Sequence, residues 1–110
     1  MAYRASDVIL APFPFRDQLA ERVRPAVIVS CAQFNSLRDL TVAAVTSHVP
    51  RHLFDYALRD WAGAGLKIPS TVRMLLATIA EDRVVLQVGR LADPDWKEVQ
   101  QRIGQLFAWP

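Results

Sequence analysis

Arg22-Val23-Arg24-Pro25-Ala26-Val27-Ile28-Val29-Ser30 is the stretch that decides the fold. Its centre is β-branched and small, which favours a pleated backbone. An apolar run without alternation reads as a strand buried on both faces. Pro25 lacks an amide hydrogen and is expected at the strand's first residue rather than inside it. Arg24 then stands where a loop meets a buried strand. A long charge is rarely buried without a partner, and an arginine held by a rigid strand can present its planar fork to phosphate.

Working outward, Asp7 to Ala11 reads as a preceding strand ended by Pro12 and Pro14. Residues 15–22 are polar and aperiodic, an exposed loop carrying Arg16 and Arg22. On the other side, Phe34-Asn35-Ser36 predicts a turn, and Leu40 to Val45 a third strand that ends in Thr46-Ser47 and then His48. Strands at this regular spacing, with turn signals between them, point to a small barrel or sandwich. Leu53 to Leu58 alternates weakly, as an edge strand does. Trp61 to Leu66 is a turn whose aromatic covers the barrel, and Ser70 to Ile79 is long enough to cross it. Glu81-Asp82-Arg83 turns the chain into a last strand around Leu86-Gln87-Val88. Asp93 is the expected N-cap of a terminal helix, with Pro94 at its first position and Asp95 favourable to its dipole. Trp96, Val99, Ile103, Leu106 and Phe107 then mark one core-facing helical stripe. The predicted fold is mainly β with a C-terminal helix, a small barrel in a single domain over residues 1–110.

The 110-residue chain is long enough for one core, and 52% hydrophobic against 22% charged residues is a globular profile rather than a disordered one. Net charge is only +2. Lys67 and Lys97 are the only lysines, so the basic residues are overwhelmingly arginine. That bias fits bidentate recognition of phosphate or carboxylate, and equally a GC-rich genome. No signal-peptide pattern is expected at the N-terminus, and no stretch approaches the roughly 18 apolar residues of a membrane span. Cys31 is the single cysteine, consistent with a reducing cytoplasm, and is expected to pack as a small hydrophobe beside the strand. His48 and His52 have the spacing of a helical metal pair, but Pro50 between them argues against a helix, so no metal site is predicted.

Several of these phrases resemble the MazF/PemK toxins. Ser6 to Phe15 looks like that family's first strand and loop, Arg24 to Ser30 its second strand, and Thr41 to Ser47 its third. Trp61 to Leu66, Pro69 to Arg73 and Leu76 to Ile79 are similar to the PemK-like branch, and Val88 to Leu91 before a helix completes the order. The resemblance implies an SH3-like barrel and a cytoplasmic homodimer. It further implies a metal-independent endoribonuclease that needs no cofactor, cleaves single-stranded RNA (mRNA) to a 2′,3′-cyclic phosphate and a 5′-hydroxyl, and is neutralised by a cognate antitoxin. Arg24 matches the family's catalytic arginine and Thr46 its catalytic threonine. Ser47, Arg73, Arg16, Arg22, His48 and Thr78 are carried as substrate-binding residues.

Two departures matter. Ser6 replaces the usual glycine before the first-strand aspartate, which is tolerable if that turn does not require positive φ. Ala77-Thr78-Ile79-Ala80 stands where many members have Arg-Thr-Ile-Asp. Arg73 is the expected substitute for the missing arginine, and Glu81 or Asp82 for the acid. Two alternatives stay open: a CcdB-like toxin that binds gyrase through a tryptophan near its C-terminus, here Trp109, and an inactive barrel that binds RNA or antitoxin without cutting.

Overall fold

The computed structural model describes residues 3–13 and 22–109. Six strands form one sheet: β1 (Asp7–Phe13), β2 (Arg22–Ile28), β3 (Asp39–Thr46), β4 (Tyr56–Ala57), β5 (Thr71–Ala80) and β6 (Leu86–Arg90). The short helix α1 (Ala32–Asn35) links β2 to β3, and α2 (Asp93–Leu106) closes the chain. The strand order is β4-β5-β3-β2-β1-β6, with every neighbouring pair antiparallel. The sheet curls into a half-barrel.

Both faces of that sheet carry a core, which explains the uninterrupted apolar run of β2. Val8, Val27, Ala43, Val45 and Val72 pack with Val99 and Ile103 of α2. Their sequence neighbours Ile9, Ala26, Ile28, Val42 and Ala44 pack on the opposite face with Leu40 and Phe13. Strict alternation, with each set buried, leaves no polar position from Ala26 to Ile28 or from Val42 to Val45. Each fully buried Val or Ile in these clusters contributes roughly 1.5–3 kcal/mol of transfer free energy.

The prolines lie inside strands rather than at their ends. Pro25 is paired with Leu10 and Pro12 with Val23. Each is placed where its strand has lost its other neighbour. The β2–β3 ladder stops at Ala26↔Ala44, and the β1–β6 ladder stops at Leu10↔Leu86. A missing amide hydrogen there removes no ladder bond.

Helix α2 begins one residue earlier than the capping pattern implies. Ala92 is its N-cap and makes no side-chain cap bond, so Asp93 lies in the first turn with Asp95. The stripe is buried only at Val99 and Ile103, with Trp96 packed beside them, while Leu106 and Phe107 are exposed. The helix ends at Leu106, and Ala108, at φ 55°, turns the chain back so that the Trp109 amide donates to the Gly104 carbonyl at 2.9 Å. Trp109 then stacks on Phe107 at 5.7 Å between ring centroids. Cys31 is exposed rather than packed, because it leads into α1 on the surface. No helix among the described residues is long and apolar enough to cross a membrane.

Ser6 adopts φ 79°, so the turn before β1 does require positive φ. Its amide donates to Ile28 and its carbonyl accepts from Leu91, which fixes the conformation between two strand ends. A side chain in this region costs about 1–2 kcal/mol, part of which glycine's greater unfolded-state freedom offsets. Ser6→Gly is therefore expected to raise the melting temperature by a few degrees, roughly what 0.5–1 kcal/mol gives in a domain of this size. A lowered melting temperature would show that the Ser6 side chain holds more than the strain it causes.

Candidate active site

The site begins where the sheet opens. Continuing the β2–β3 register two residues past Ala26↔Ala44 sets Arg24 across from Thr46, but the ladder has ended by then. On its other side, β3 advances from Ala43 to Val45 while β5 runs from Leu76 to Val72. Three β5 residues, Arg73, Met74 and Leu75, stand there against the single β3 residue Ala44, a bulge that interrupts the ladder and bends the strand. Between the parted β2 and β3 and the bulged β5 lies a groove of about 1100 Å³.

Arg24, Thr46, Ser47, His48 and Arg73 all line that groove. Arg51 and Lys67 join them, and among the described residues no Asp or Glu side chain does. A cleft that gathers several cations concentrates positive potential, so it attracts phosphate. Its apolar wall comes from Leu66, Ile68, Met74 and Val88. Arg24 is half-buried on β2, whereas Ser47, His48, Arg51 and Lys67 are exposed at the rim.

Local backbone explains how Thr46 is presented. The His48 amide donates to Thr46 Oγ1 at 3.3 Å, a turn formed by the hydroxyl itself. With that oxygen already accepting, the Thr46 hydroxyl proton remains for a ligand. Lys67 reaches the groove because the preceding turn lies directly on β6. A Cβ at Gly65 (φ 87°) would fall 2.0 Å from the Val88 carbonyl oxygen, and one at Gly89 2.3 Å from that of Ala64. Only glycine permits this approach at both positions.

Behind the rim, two buried carboxylates hold the supporting loops. Asp55 Oδ2 accepts from the Arg51 amide at 3.0 Å, while its Oδ1 faces Arg73 Nε at 3.6 Å and His52 Nε2 at 3.8 Å. Asp95, at the start of α2, accepts from the Tyr56 hydroxyl at 2.6 Å and from the amides of Arg59 and Asp60 at 3.1 and 2.9 Å. Burial, and then the hydrogen bond to Asp95, push the Tyr56 hydroxyl up to about 12. Arg102 lies 4.8 Å over the Tyr56 ring and is held by Glu98 at 2.8 Å.

Some expected site residues fall elsewhere. Thr78 is exposed, and its Oγ1 pairs with Thr41 Oγ1 at 2.8 Å on the far stretch of β3 and β5, away from the groove. It lies two residues past Leu76, the last β5 residue on the groove, and distance along the strand takes it out of reach. Arg22 is exposed at the end of β2 opposite Phe13 and does not line the groove. Arg16 lies outside the described residues. Ala77 packs against the second core cluster. Glu81 and Asp82 sit in a 3₁₀ turn beyond the far end of β5, so neither restores an acid to the groove. His52 is turned toward Asp55, and its Nδ1 accepts from the Phe54 amide. Among the described residues no three His, Cys, Asp or Glu side chains converge as metal ligands would.

Comparison with known proteins gives the following. A family model described as PemK-like, MazF-like toxin of type II toxin–antitoxin system matches residues 4–107. No curated protein sequence matches the chain. Among solved structures, the chain is similar to an endoribonuclease in complex with its cognate antitoxin from a mycobacterial species. The TM-score is 0.80 at 15% identity, over 99% of this chain and 98% of that one. It is also similar to the toxin MazF-mt6 of Mycobacterium tuberculosis, with TM-score 0.77 at 23% identity over 94% and 98% of the two chains. A MazE–MazF structure from Deinococcus radiodurans gives TM-score 0.76 at 18% identity over 100% and 99%. At these identities the structural likeness speaks to the fold.

Proposed function

We propose a function from one premise: the chain belongs to the PemK-like, MazF-like toxins of type II toxin–antitoxin systems. It is an endoribonuclease toxin that cleaves single-stranded RNA in the cytoplasm, works as a homodimer, and is neutralised by a cognate antitoxin. The observation that carries this reading is the groove. It has Arg24 on β2 and Thr46 on β3 in one lining, beside further cations and, among the described residues, no carboxylate.

The reaction is an internal transesterification. The ribose 2′-oxygen bonds to the adjacent phosphorus, and its proton leaves to solvent or to the His48 imidazole on the rim. The bond from phosphorus to the 5′-oxygen breaks, and that oxygen takes up a proton. A 2′,3′-cyclic phosphate and a 5′-hydroxyl result. Negative charge builds on the non-bridging oxygens in the transition state, where the always-charged Arg24 guanidinium stabilises it. A preorganised donor of this kind contributes about 3 kcal/mol. Thr46, its oxygen occupied by the His48 amide, donates its proton to a phosphate oxygen or to the 2′-oxygen. Ser47, Arg73, Lys67 and Arg51 hold the flanking chain through its phosphates. Neither Arg24 nor Thr46 needs a metal ion for these roles.

The antitoxin competes for the same charge. An acidic segment laid in the groove meets the cations that RNA phosphates would meet, and each excludes the other. The gyrase-binding alternative rests on Trp109, whose amide donates a hydrogen bond to the Gly104 carbonyl and whose ring stacks on Phe107, so that it closes the turn after α2.

Incubating the purified protein with a long single-stranded RNA in EDTA, and mapping the ends, tests the reading. Discrete cuts that leave 2′,3′-cyclic phosphates are expected. Intact RNA across diverse sequences would overturn it and leave an inactive binding barrel.

A further inference from the structure

We propose that Asp55 is a positioning residue: it fixes the Arg73 guanidinium so that its terminal amino groups receive an RNA backbone phosphate beside the scissile one. The proposal rests on the RNA-cleaving reading and adds to it a residue that never meets the substrate. The Asp55 side chain is 1% exposed, so its charge is withdrawn from water and needs a partner. One oxygen is satisfied by the Arg51 amide. The other, Oδ1, is buried, makes no hydrogen bond, and faces Arg73 Nε, which is itself buried without one. Separated by 3.6 Å, the two are held by charge attraction with a small closing movement left to a full bond.

That contact engages the inner nitrogen of the guanidinium. Among the described residues Arg73 forms no other ion pair or hydrogen bond, and its side chain is 24% exposed on the groove wall. An arginine clamped at Nε keeps both terminal amino groups for a ligand, the geometry that suits a phosphate. The clamp is rigid for a structural reason. Tyr56, the next residue, is paired with Val72 in the β4–β5 ladder, so carboxylate and guanidinium issue from adjacent, hydrogen-bonded strands. Through Arg51 and Arg73, Asp55 ties two of the groove's cations to one buried point. His52 Nε2, at 3.8 Å, is the remaining charged or titratable side chain on that oxygen.

The sign of one substitution separates this role from plain electrostatics. Asp55→Asn removes a negative charge next to a cationic groove, which by Coulomb attraction alone should tighten binding of a polyanion. Positioning predicts the reverse. The experiment measures binding of a fluorescent single-stranded oligodeoxyribonucleotide, which lacks the attacking 2′-hydroxyl, to the full chain across a series of salt concentrations. Arg73→Ala is expected to weaken binding about tenfold and to lower the salt slope by about 0.7, the value for one phosphate contact on a single strand. Asp55→Asn is expected to do nearly the same, and the double variant to bind no more weakly than Arg73→Ala. Tighter or unchanged binding by Asp55→Asn, or a loss that adds fully to that of Arg73→Ala, overturns the proposal.

Circular dichroism and the melting temperature establish that Asp55→Asn is folded. Should it not be, Arg73→Lys decides, because it leaves Asp55 paired but removes the fork: most of the tenfold loss is expected, and wild-type affinity overturns the proposal. A wild-type protein that binds the oligodeoxyribonucleotide but leaves RNA intact refutes the nuclease reading without touching this result. One that fails to bind it refutes the positioning role at its premise.

Discussion

Replacing Arg24 by alanine abolishes most RNA cleavage, by about a hundredfold or more, while the protein keeps its fold and melts within a few degrees of the wild type. The two halves of this expectation come from different parts of one strand. The buried section of β2 is Ala26 to Ile28, alternating between the two cores, whereas Arg22 to Pro25 is exposed or half-buried. Alanine at position 24 therefore removes no side chain of either core cluster, which keeps the loss of stability small beside the loss of rate. Catalytically the loss is large, because the guanidinium that meets charge developing in the transition state is gone. Arg24→Lys is expected to recover part of the rate, since it restores the charge but not the planar fork. Thr46→Val keeps the β-branched shape and loses one neutral donor, so its effect is smaller than that of Arg24→Ala. Single-turnover cleavage beside thermal melts measures both halves. Cleavage by Arg24→Ala within tenfold of the wild type would show that charge stabilisation is centred elsewhere.

The central sheet was legible in the sequence because burial on both faces leaves an unmistakable composition. Val27, Ile28, Val42 and Val45 had few other places to go. Pro12 and Pro25 were misread as strand limits because a proline's cost depends on whether a second ladder reaches it, and pairing is set by distant residues. The candidate site was legible where chemistry and position coincide, at Arg24 and Thr46. It was not legible in β5. Plain alternation gives no reason for Arg73, Met74, Leu75 and Leu76 all to border one groove, and no residue type marks the point where the β3–β5 ladder is interrupted. Thr78 lies beyond Leu76, where the groove ends, and is paired with Thr41 instead. Lys67 and Arg51 carried a weak signal in retrospect. Lys67 follows a glycine-rich turn pinned to β6, and Arg51 sits four residues before a carboxylate that accepts its amide. Asp55 carried none, since burial of an acid in a weakly alternating stretch is decided by the arginine on the neighbouring strand.

Asp95→Ala is expected to destabilise the protein by about 3–5 kcal/mol, a large share of the roughly 5–15 kcal/mol that holds a domain of this kind together. Asp95 is buried at the head of α2, where its charge also favours the helix dipole. Its two oxygens accept three hydrogen bonds, and alanine orphans the Tyr56 hydroxyl and the amides of Arg59 and Asp60 together. Tyr56 provides an independent readout through pH. Its folded value of about 12 lies above the ordinary 10, so the stability linked to it is fully present below pH 10 and is lost as pH rises toward 12. In Asp95→Ala, or in the milder Asp95→Asn, the part of that shift due to the carboxylate disappears. The tyrosine then titrates at lower pH in an alkaline absorbance scan, and the alkaline loss of stability shrinks. The effect also reaches the groove. Leu58 to Asp60, which Asp95 anchors to α2, leads into the turn that carries Leu66 and Lys67 to the rim, so RNA affinity should fall in Asp95→Asn even where the protein stays folded. Unchanged stability in Asp95→Ala would mean that water replaces the carboxylate at all three donors, and the loop would then owe its place to the contact of Gly65 and Gly89 alone.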